Sequence, residues 1–294
     1  MKKIVFSCLV IILIVYSFIY PKEIVSAVYS GIKLWFNQIL PALFPFTVLS
    51  IMLIKSNFLT SFKGNASLLA TLITLTCGFI FGFPIGAKLS ADFYSEGLLS
   101  EKNATILSIA TNNFSPMFVC GFAIPLLFKS NTYRMITYFL LYLTPLILIS
   151  LFLICTSNGS NEVKSKIHNN FNINMKIMDK SIVNGFETLI KLCGYIVIFS
   201  IITQILSSIK LPVIILQNIE ITNGIQMLSK CDLTSDYKYI LAIQALSLGG
   251  LSGFAQTGSI LSDSGLSMHK YIIGKVALSL LITLLSVIYV FFIR

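Results

Sequence analysis

Two interruptions of long apolar runs gather the residues best suited to chemistry. The first is Thr111-Asn-Asn-Phe-Ser-Pro116, where Asn112, Asn113 and Ser115 supply neutral hydrogen-bond donors and acceptors. The second is Leu248-Gly-Gly-Leu-Ser-Gly-Phe254, where Gly250 loosens the backbone and Ser252, Gln256 and Thr257 supply polar groups. A helix broken at such a point exposes free N–H groups with a positive dipole, suited to an anion, and free carbonyls suited to a cation. Two charged residues stand near similar Gly-rich turns. Lys88 follows Gly82-Phe-Pro84-Ile-Gly86, and Glu220 precedes Thr222, Asn223 and Gly224. Their corresponding positions make a direct or solute-bridged pairing of Lys88 with Glu220 an expectation. Glu187 and Lys191, one helical turn apart, are expected to neutralise each other.

Catalysis has little support in these residues. Gly250-Leu-Ser-Gly253 is similar to the Gly-x-Ser-Gly nucleophile site of rhomboid-type proteases, but a serine there needs a histidine base within reach. The two histidines, His168 and His269, lie in a polar segment and at a helix start. No HExxH, P-loop or GxGxxG pattern and no pair of intramembrane aspartates is present. The six cysteines are scattered, five of them in apolar segments and Cys231 in a polar one, and read as small buried side chains. No catalytic residue, metal ligand or cofactor is expected.

The elements that must hold these residues are membrane helices. The chain is 56% hydrophobic and only 11% charged, with a mean hydropathy of +0.88. A water-exposed surface needs roughly 25% charged residues. Ile4–Tyr20, Tyr133–Cys155, Ile182–Ser207 and Tyr271–Ile293 approach or exceed the roughly 20 residues that cross a hydrocarbon core. The net charge of +10 sits near the ends of apolar runs (Lys2, Lys3, Lys55, Lys63, Lys164, Lys166, Lys176, Lys180), where lysines meet anionic headgroups. No nucleic-acid-binding motif accompanies that charge, so nucleic acid is not an expected partner; the lipid bilayer is. The run Ile4–Tyr20 exceeds a usual signal-peptide core and reads as an uncleaved anchor, residues 1–23, with cleavage at Val25-Ser26-Ala27 as the alternative.

The remaining chain divides into two comparable stretches, 24–155 and 181–294, joined by a polar linker at 156–180 that is expected on the cytoplasmic side. Each runs through a long helix starting near a Ser-Gly or Asn-Gly pair (Ser30-Gly31, Asn184-Gly185), a polar hairpin, a broken helix and a plain helix. Ser115 precedes Tyr133, and Ser252 precedes Lys270, by the same interval. Prolines Pro41 and Pro45 are expected to kink or split the first long helix. With three crossings in each half, the second half enters from the opposite face, as inverted repeats do. Lys210, Lys230 and Lys238 would then fall on the outer side. The expected fold is an all-α polytopic membrane protein with about seven full spans plus two re-entrant or broken-helix hairpins.

Several segments then resemble a known family. Gly31-Ile-Lys-Leu-Trp-Phe-Asn-Gln-Ile-Leu-Pro-Ala-Leu-Phe-Pro-Phe46, Gly82-Phe-Pro-Ile-Gly-Ala-Lys-Leu89, Leu99-Ser100, Asn112-Asn-Phe-Ser-Pro-Met-Phe118, Glu220-Ile-Thr-Asn-Gly224 and Gly249-Gly-Leu-Ser-Gly-Phe-Ala-Gln256 look like the YlbJ type of sporulation integral membrane protein. That type falls in a wider group with nucleoside-recognition, or Gate, domains. The resemblance implies a role in spore formation and movement of dipicolinic acid across the outer forespore membrane. A planar dianion would find partners in the half-helix N-termini and Lys88, whereas Glu220 would repel it unless protonated, paired or bound to a coupling cation. The expected activity is transport of a small organic anion. Cation-coupled passage of a nucleoside or metabolite, and a scaffold that transports nothing, stand beside it. Assembly into an oligomer is compatible with either.

Overall fold

The computed structural model describes residues 2–56, 66–128, 133–156 and 174–293, and among these every regular element is helical. Helix α1 (Lys2–Ile19) meets α2 (Pro21–Leu34) at Tyr20, where Val10–Ile19 and Pro21–Asn37 are bent by 112°. A π-turn, Trp35–Ile39, leads without a break into α3 (Leu40–Lys55). Then come α4 (Ala66–Phe81) and α5 (Ile85–Ser95), α6 (Glu101–Thr111) and, beyond a break, α7 (Pro116–Phe118) and α8 (Ile124–Leu127). Helices α9 (Arg134–Tyr138) and α10 (Thr144–Thr156) follow as one rod. The later part holds α11 (Met175–Ser208), α12 (Val213–Leu216), α13 (Ile221–Lys230), α14 (Ser235–Leu248), α15 (Gly250–Ser264) and α16 (Met268–Ile288). Of the expected linker, residues 175–180 already belong to α11, and 157–173 with Lys164, Lys166 and His168 lie outside the described residues, as does Lys63.

Five helical stretches are long and apolar enough to span: Glu101–Leu127, Arg134–Phe152, Met175–Ser208, Ser235–Ser264 and Met268–Ile293. The bent pair at Tyr20 makes a sixth, so length and composition give five or six spans where the sequence suggests about seven. The exterior is apolar, with Phe18, Phe36, Leu151, Ile190, Leu280 and Phe292 all exposed. In a bilayer such side chains meet lipid, and the protein is a multi-pass integral membrane protein.

The helices continue through Pro41, Pro45, Pro125 and Pro145 without splitting. Pro41, Pro125 and Pro145 each follow a π-turn (Trp35–Ile39, Val119–Ala123, Phe139–Leu143). A proline removes one backbone donor and crowds the carbonyl four residues back, and widening the preceding turn relieves both. The long rods α2–α3 and α11 pack side by side. At their crossings a Cβ on Gly31 would meet Val197 and Ser200, and one on Gly185 would meet Val48. These glycines, expected near helix starts, thus lie within the rods and let the backbones approach.

Contacts fix which helix ends lie together. Lys270 at the start of α16 pairs with Glu101 at the start of α6 (2.6 Å). At the other end, Tyr133 before α9 stacks on Tyr239 of α14 (4.3 Å between ring centroids), and its hydroxyl bonds Asp236 (2.5 Å). Hydroxyls cap many of the helix starts: Ser100 accepts from Asn103 N (3.2 Å) and Ser115 from Phe118 N (3.2 Å).

Candidate functional site

Two hairpin tips meet two helix breaks in the interior. Helices α4 and α5 form the first hairpin, with Gly82, Phe83 and a cis Pro84 at its tip. Gly82 has φ of 69°, and a Cβ there would press on Ser115 N and Asn113 O, so only glycine fits against the break. The Phe83 N–H donates to the Asn113 carbonyl at 2.6 Å. Gly78 and Gly86 leave room for Thr111, the last residue of α6.

The second tip is the stretch Gln217–Glu220 between α12 and α13. Here the break supplies the donors. Leu251 N bonds Asn218 O (2.7 Å) and Ser252 N bonds Ile219 O (3.0 Å). Gly224 packs directly on Gln217, closing the hairpin. The chain turns sharply at Gly249 (φ 88°) and Gly250 (φ 67°), and Leu251–Gly253 are already helical. The interruption expected over Gly249–Gly253 is therefore narrower, because two successive glycines in the left-handed region complete the turn by themselves.

At the first break, both asparagine amide nitrogens are held in place. Asn112 Nδ2 donates to Thr257 Oγ1 (3.0 Å) and to the Tyr271 hydroxyl (2.9 Å). Asn113 Nδ2 donates to Ala110 O (2.7 Å) and Leu141 O (3.3 Å). Leu141 is the residue whose helical donor Pro145 removes, so that proline frees a carbonyl for the site. Lys275 of α16, 1% exposed, reaches in and donates to Asn112 O (2.8 Å) and Asn113 Oδ1 (2.6 Å).

At the second break, Gln256 Nε2 donates to Ser252 Oγ (2.9 Å), and Asn223 Nδ2 to Ser200 Oγ (3.1 Å). Glu220 caps α13, accepting from Thr222 N (3.2 Å) and Asn223 N (2.8 Å). The expected pairing of Lys88 with Glu220 is not what the chain forms. Lys88 pairs instead with Asp92 one turn along α5 (2.8 Å), a nearer carboxylate on the same helix face. The expected Glu187–Lys191 pair does form (3.0 Å).

Two cavities adjoin this centre. One of about 710 Å³ is lined by Phe83, Phe114, Ser115, Glu220, Thr222, Ser252 and Gln256, and by Asn37, Ile39, Pro41 and Leu43 of the first rod. Phe83, Phe114, Phe118 and Phe122 line one side as an aromatic ladder, with centroids 6.0, 4.9 and 5.2 Å apart in sequence. The other, about 390 Å³, is lined by Pro84, Lys55, Lys88, Asp92, Lys191 and Asp263 among others. Leu192 and Gln256 line both and form a shared wall. Thus Ser115, Glu220, Ser252 and Gln256 come together at one cavity, and Pro84, Lys88 and Gln256 at the other. Gly82, Gly86, Asn112, Asn113, Asn223, Gly224 and Gly250 build the frame behind them.

The expectation that free half-helix N–H groups await an anion needs correction. Donors of Phe118, Thr222, Asn223, Leu251 and Ser252 are taken by Ser115, Glu220, Asn218 and Ile219. A low-dielectric interior does not leave donors unpaired, so the protein satisfies them itself. Sequence reasoning missed Lys275. Its signal was present as a lysine inside the apolar run Tyr271–Ile293, where an ionisable residue is costly. Among the described residues no three His, Cys, Asp or Glu side chains cluster as a metal site requires.

Fold and centre together define a multi-pass membrane protein built around paired helix breaks and hairpin tips. The chain is similar to the sporulation integral membrane protein YlbJ of Bacillus subtilis (strain 168), with 24% identity over 311 aligned residues covering 87% of this chain and 75% of that protein. This similarity supports a YlbJ-type family for the chain. No protein family model matches the chain, and no solved structure does.

Proposed function

We propose that this protein is a transporter that acts in spore formation and moves a small organic anion across a membrane. The observation that carries the transport reading is the shared wall. Two cavities approach one centre, separated by a hairpin tip, Leu192 and Gln256. A solute passes if that partition opens to each cavity in turn, the behaviour expected of a site held between broken helices. The order of elements after Met175 repeats that after Pro21 with the two hairpins entering from opposite ends, which supports two inverted repeats, residues 24–155 and 181–294. The sporulation role rests on the similarity to YlbJ.

Dipicolinate is the proposed substrate. The aromatic ladder suits a planar ring in the larger cavity, and the smaller one sets Lys55, Lys88 and Lys191 among the carboxylates Asp92, Glu96, Glu187 and Asp263, a lining of both signs that an anion enters only by exchanging with one of them. A second reading has its own support. Glu220 is the one charged side chain among the described residues lining the larger cavity, which favours an uncharged solute such as a nucleoside. The test is uptake by proteoliposomes of purified protein, with labelled dipicolinate and labelled nucleoside in parallel. Dipicolinate flux above empty vesicles, reduced in Lys88→Ala, is the expected result. Nucleoside flux alone replaces the substrate, and no flux of either by folded protein returns the chain to a membrane scaffold.

A further inference from the structure

The lysine inside the first break has a peculiar set of partners. Lys275 lies two turns into α16 within an apolar run, 1% exposed, and its ammonium touches only neutral oxygens, Asn112 O and Asn113 Oδ1. Among the described residues no Asp or Glu pairs with it; the ion pairs there are Lys88–Asp92, Lys191–Glu187 and Lys270–Glu101. A desolvated cation needs compensation, and this one sits where α6 ends. The C-terminal end of a helix carries partial negative charge and unpaired carbonyls, a place that favours a cation.

The asparagines are turned to suit. Both Nδ2 groups are held elsewhere, by Thr257 and Tyr271 for Asn112 and by Ala110 O and Leu141 O for Asn113. That fixes the side-chain oxygens toward the remaining space. Asn112 Oδ1 is buried and accepts from nothing, a spare oxygen on one of the two residues that hold the ammonium. The second break has no such cup. Near its end, Ser247 of α14 shares a hydrogen bond with Ser279 of α16 (2.8 Å), hydroxyls in place of a charge.

We propose that Lys275 is a built-in cation. Its ammonium fills an oxygen cup at the end of α6 that a dissolved monovalent cation would otherwise occupy, so the first break needs no sodium or potassium ion. The consequence for transport, that flux is independent of a sodium gradient, rests on the proposed function. The cup itself does not, and it is tested by melting rather than by flux.

Full-length protein in detergent is melted in chloride salts of choline, sodium, potassium and methylammonium at equal ionic strength. Wild type is expected to melt at one temperature in all four. Lys275→Ala, with the cup open, is expected to melt roughly 5–10 °C lower in choline and to recover saturably in methylammonium or sodium. Lys275→Met, which fills the space without charge, is expected to melt low and to recover in none. The proposal is overturned if Lys275→Met melts like wild type, if Lys275→Ala responds to no cation, or if wild type gains as much from sodium as Lys275→Ala does. Failure of Lys275→Ala to fold even when extracted in methylammonium overturns it as well. Sodium-dependent uptake by wild-type vesicles, with the melting results as expected, removes only the transport consequence.

Discussion

Glu220 gives the sharpest test of how the centre is held, because its carboxylate is both a cap and a cavity wall. It is 5% exposed and accepts two backbone N–H groups in the first turn of α13. Replacing an N-cap by alanine costs about 1 kcal/mol and up to about 2. Each buried donor left unpaired costs about 1–3 kcal/mol, but water entering from the adjacent 710 Å³ cavity offsets part of that. Glu220→Ala should therefore lose about 2–3 kcal/mol. Glu220→Gln keeps one of the two acceptor oxygens, so it loses one cap bond together with the charge–dipole attraction, about 1–2 kcal/mol. At about 2–4 °C per kcal/mol, Ala lowers the melting temperature by roughly 4–12 °C and Gln by roughly 2–8 °C. The assay is thermal melting of the purified protein in detergent, with solute uptake measured on the same preparations. An Ala variant that melts like wild type, or a Gln variant that melts as low as Ala, refutes the capping argument. Lost uptake in Gln beside its smaller melting change assigns the charge to the solute or its coupling ion.

Three further perturbations separate packing from charge. Gly224→Ala places a Cβ against the Gln217 backbone, which cannot yield without disturbing the Asn218 and Ile219 bonds to the second break, so a loss of at least about 1–3 kcal/mol is expected. Gly194→Ala, with open space around its Cβ, should instead melt at or above the wild-type temperature, since alanine favours helix over glycine by about 1 kcal/mol. Lys88→Met breaks a pair whose side chains are 27% and 24% exposed, so the melting change should stay within about 1 kcal/mol. Dipicolinate uptake should nevertheless fall several-fold; unchanged uptake removes Lys88 from the path.

The bilayer character, the broken helices and the residues at each break were legible in the sequence because each is a local signal. A run of apolar residues long enough to span, and a Gly or Pro cluster inside it, depend on no partner. The asparagine-rich break at Asn112 and Asn113 and the Gly249–Gly250 turn are of this kind. What the sequence did not carry is which polar group answers which. Lys88 stands within one turn of Asp92 and bonds it, although Glu220 occupies the corresponding hairpin of the other half. Lys275 reaches a break 162 residues away in the chain. The freed N–H groups invite an anion only until the neighbouring side chains and hairpin tips are seen to accept from them. Prolines mislead for a related reason: Pro41 removes one bond, but a π-turn spreads the cost over a wide loop and the rod continues.

The tips and breaks depend on one another, and Asn113 is where that dependence is concentrated. Its carbonyl takes the Phe83 N–H of the first tip, its amide holds carbonyls of Ala110 and Leu141, and its side-chain oxygen takes Lys275. Asn113→Leu, similar in size and without polar atoms, keeps only the backbone bond. It leaves the Lys275 ammonium with one oxygen and frees two buried carbonyls. Removing one partner of a buried charge costs about 3–5 kcal/mol, so this variant should be the least stable of those named, or fail to fold. Asn113→Asp loses the same two amide donors but returns an oxygen, now charged, to Lys275. The attraction offsets part of the loss, so Asp should melt well above Leu. The order separates two accounts of the break. If Asp and Leu melt alike, the amide bonds to Ala110 and Leu141 hold the break and the lysine is incidental. If Asp melts well above Leu, the ammonium is what the break is built around.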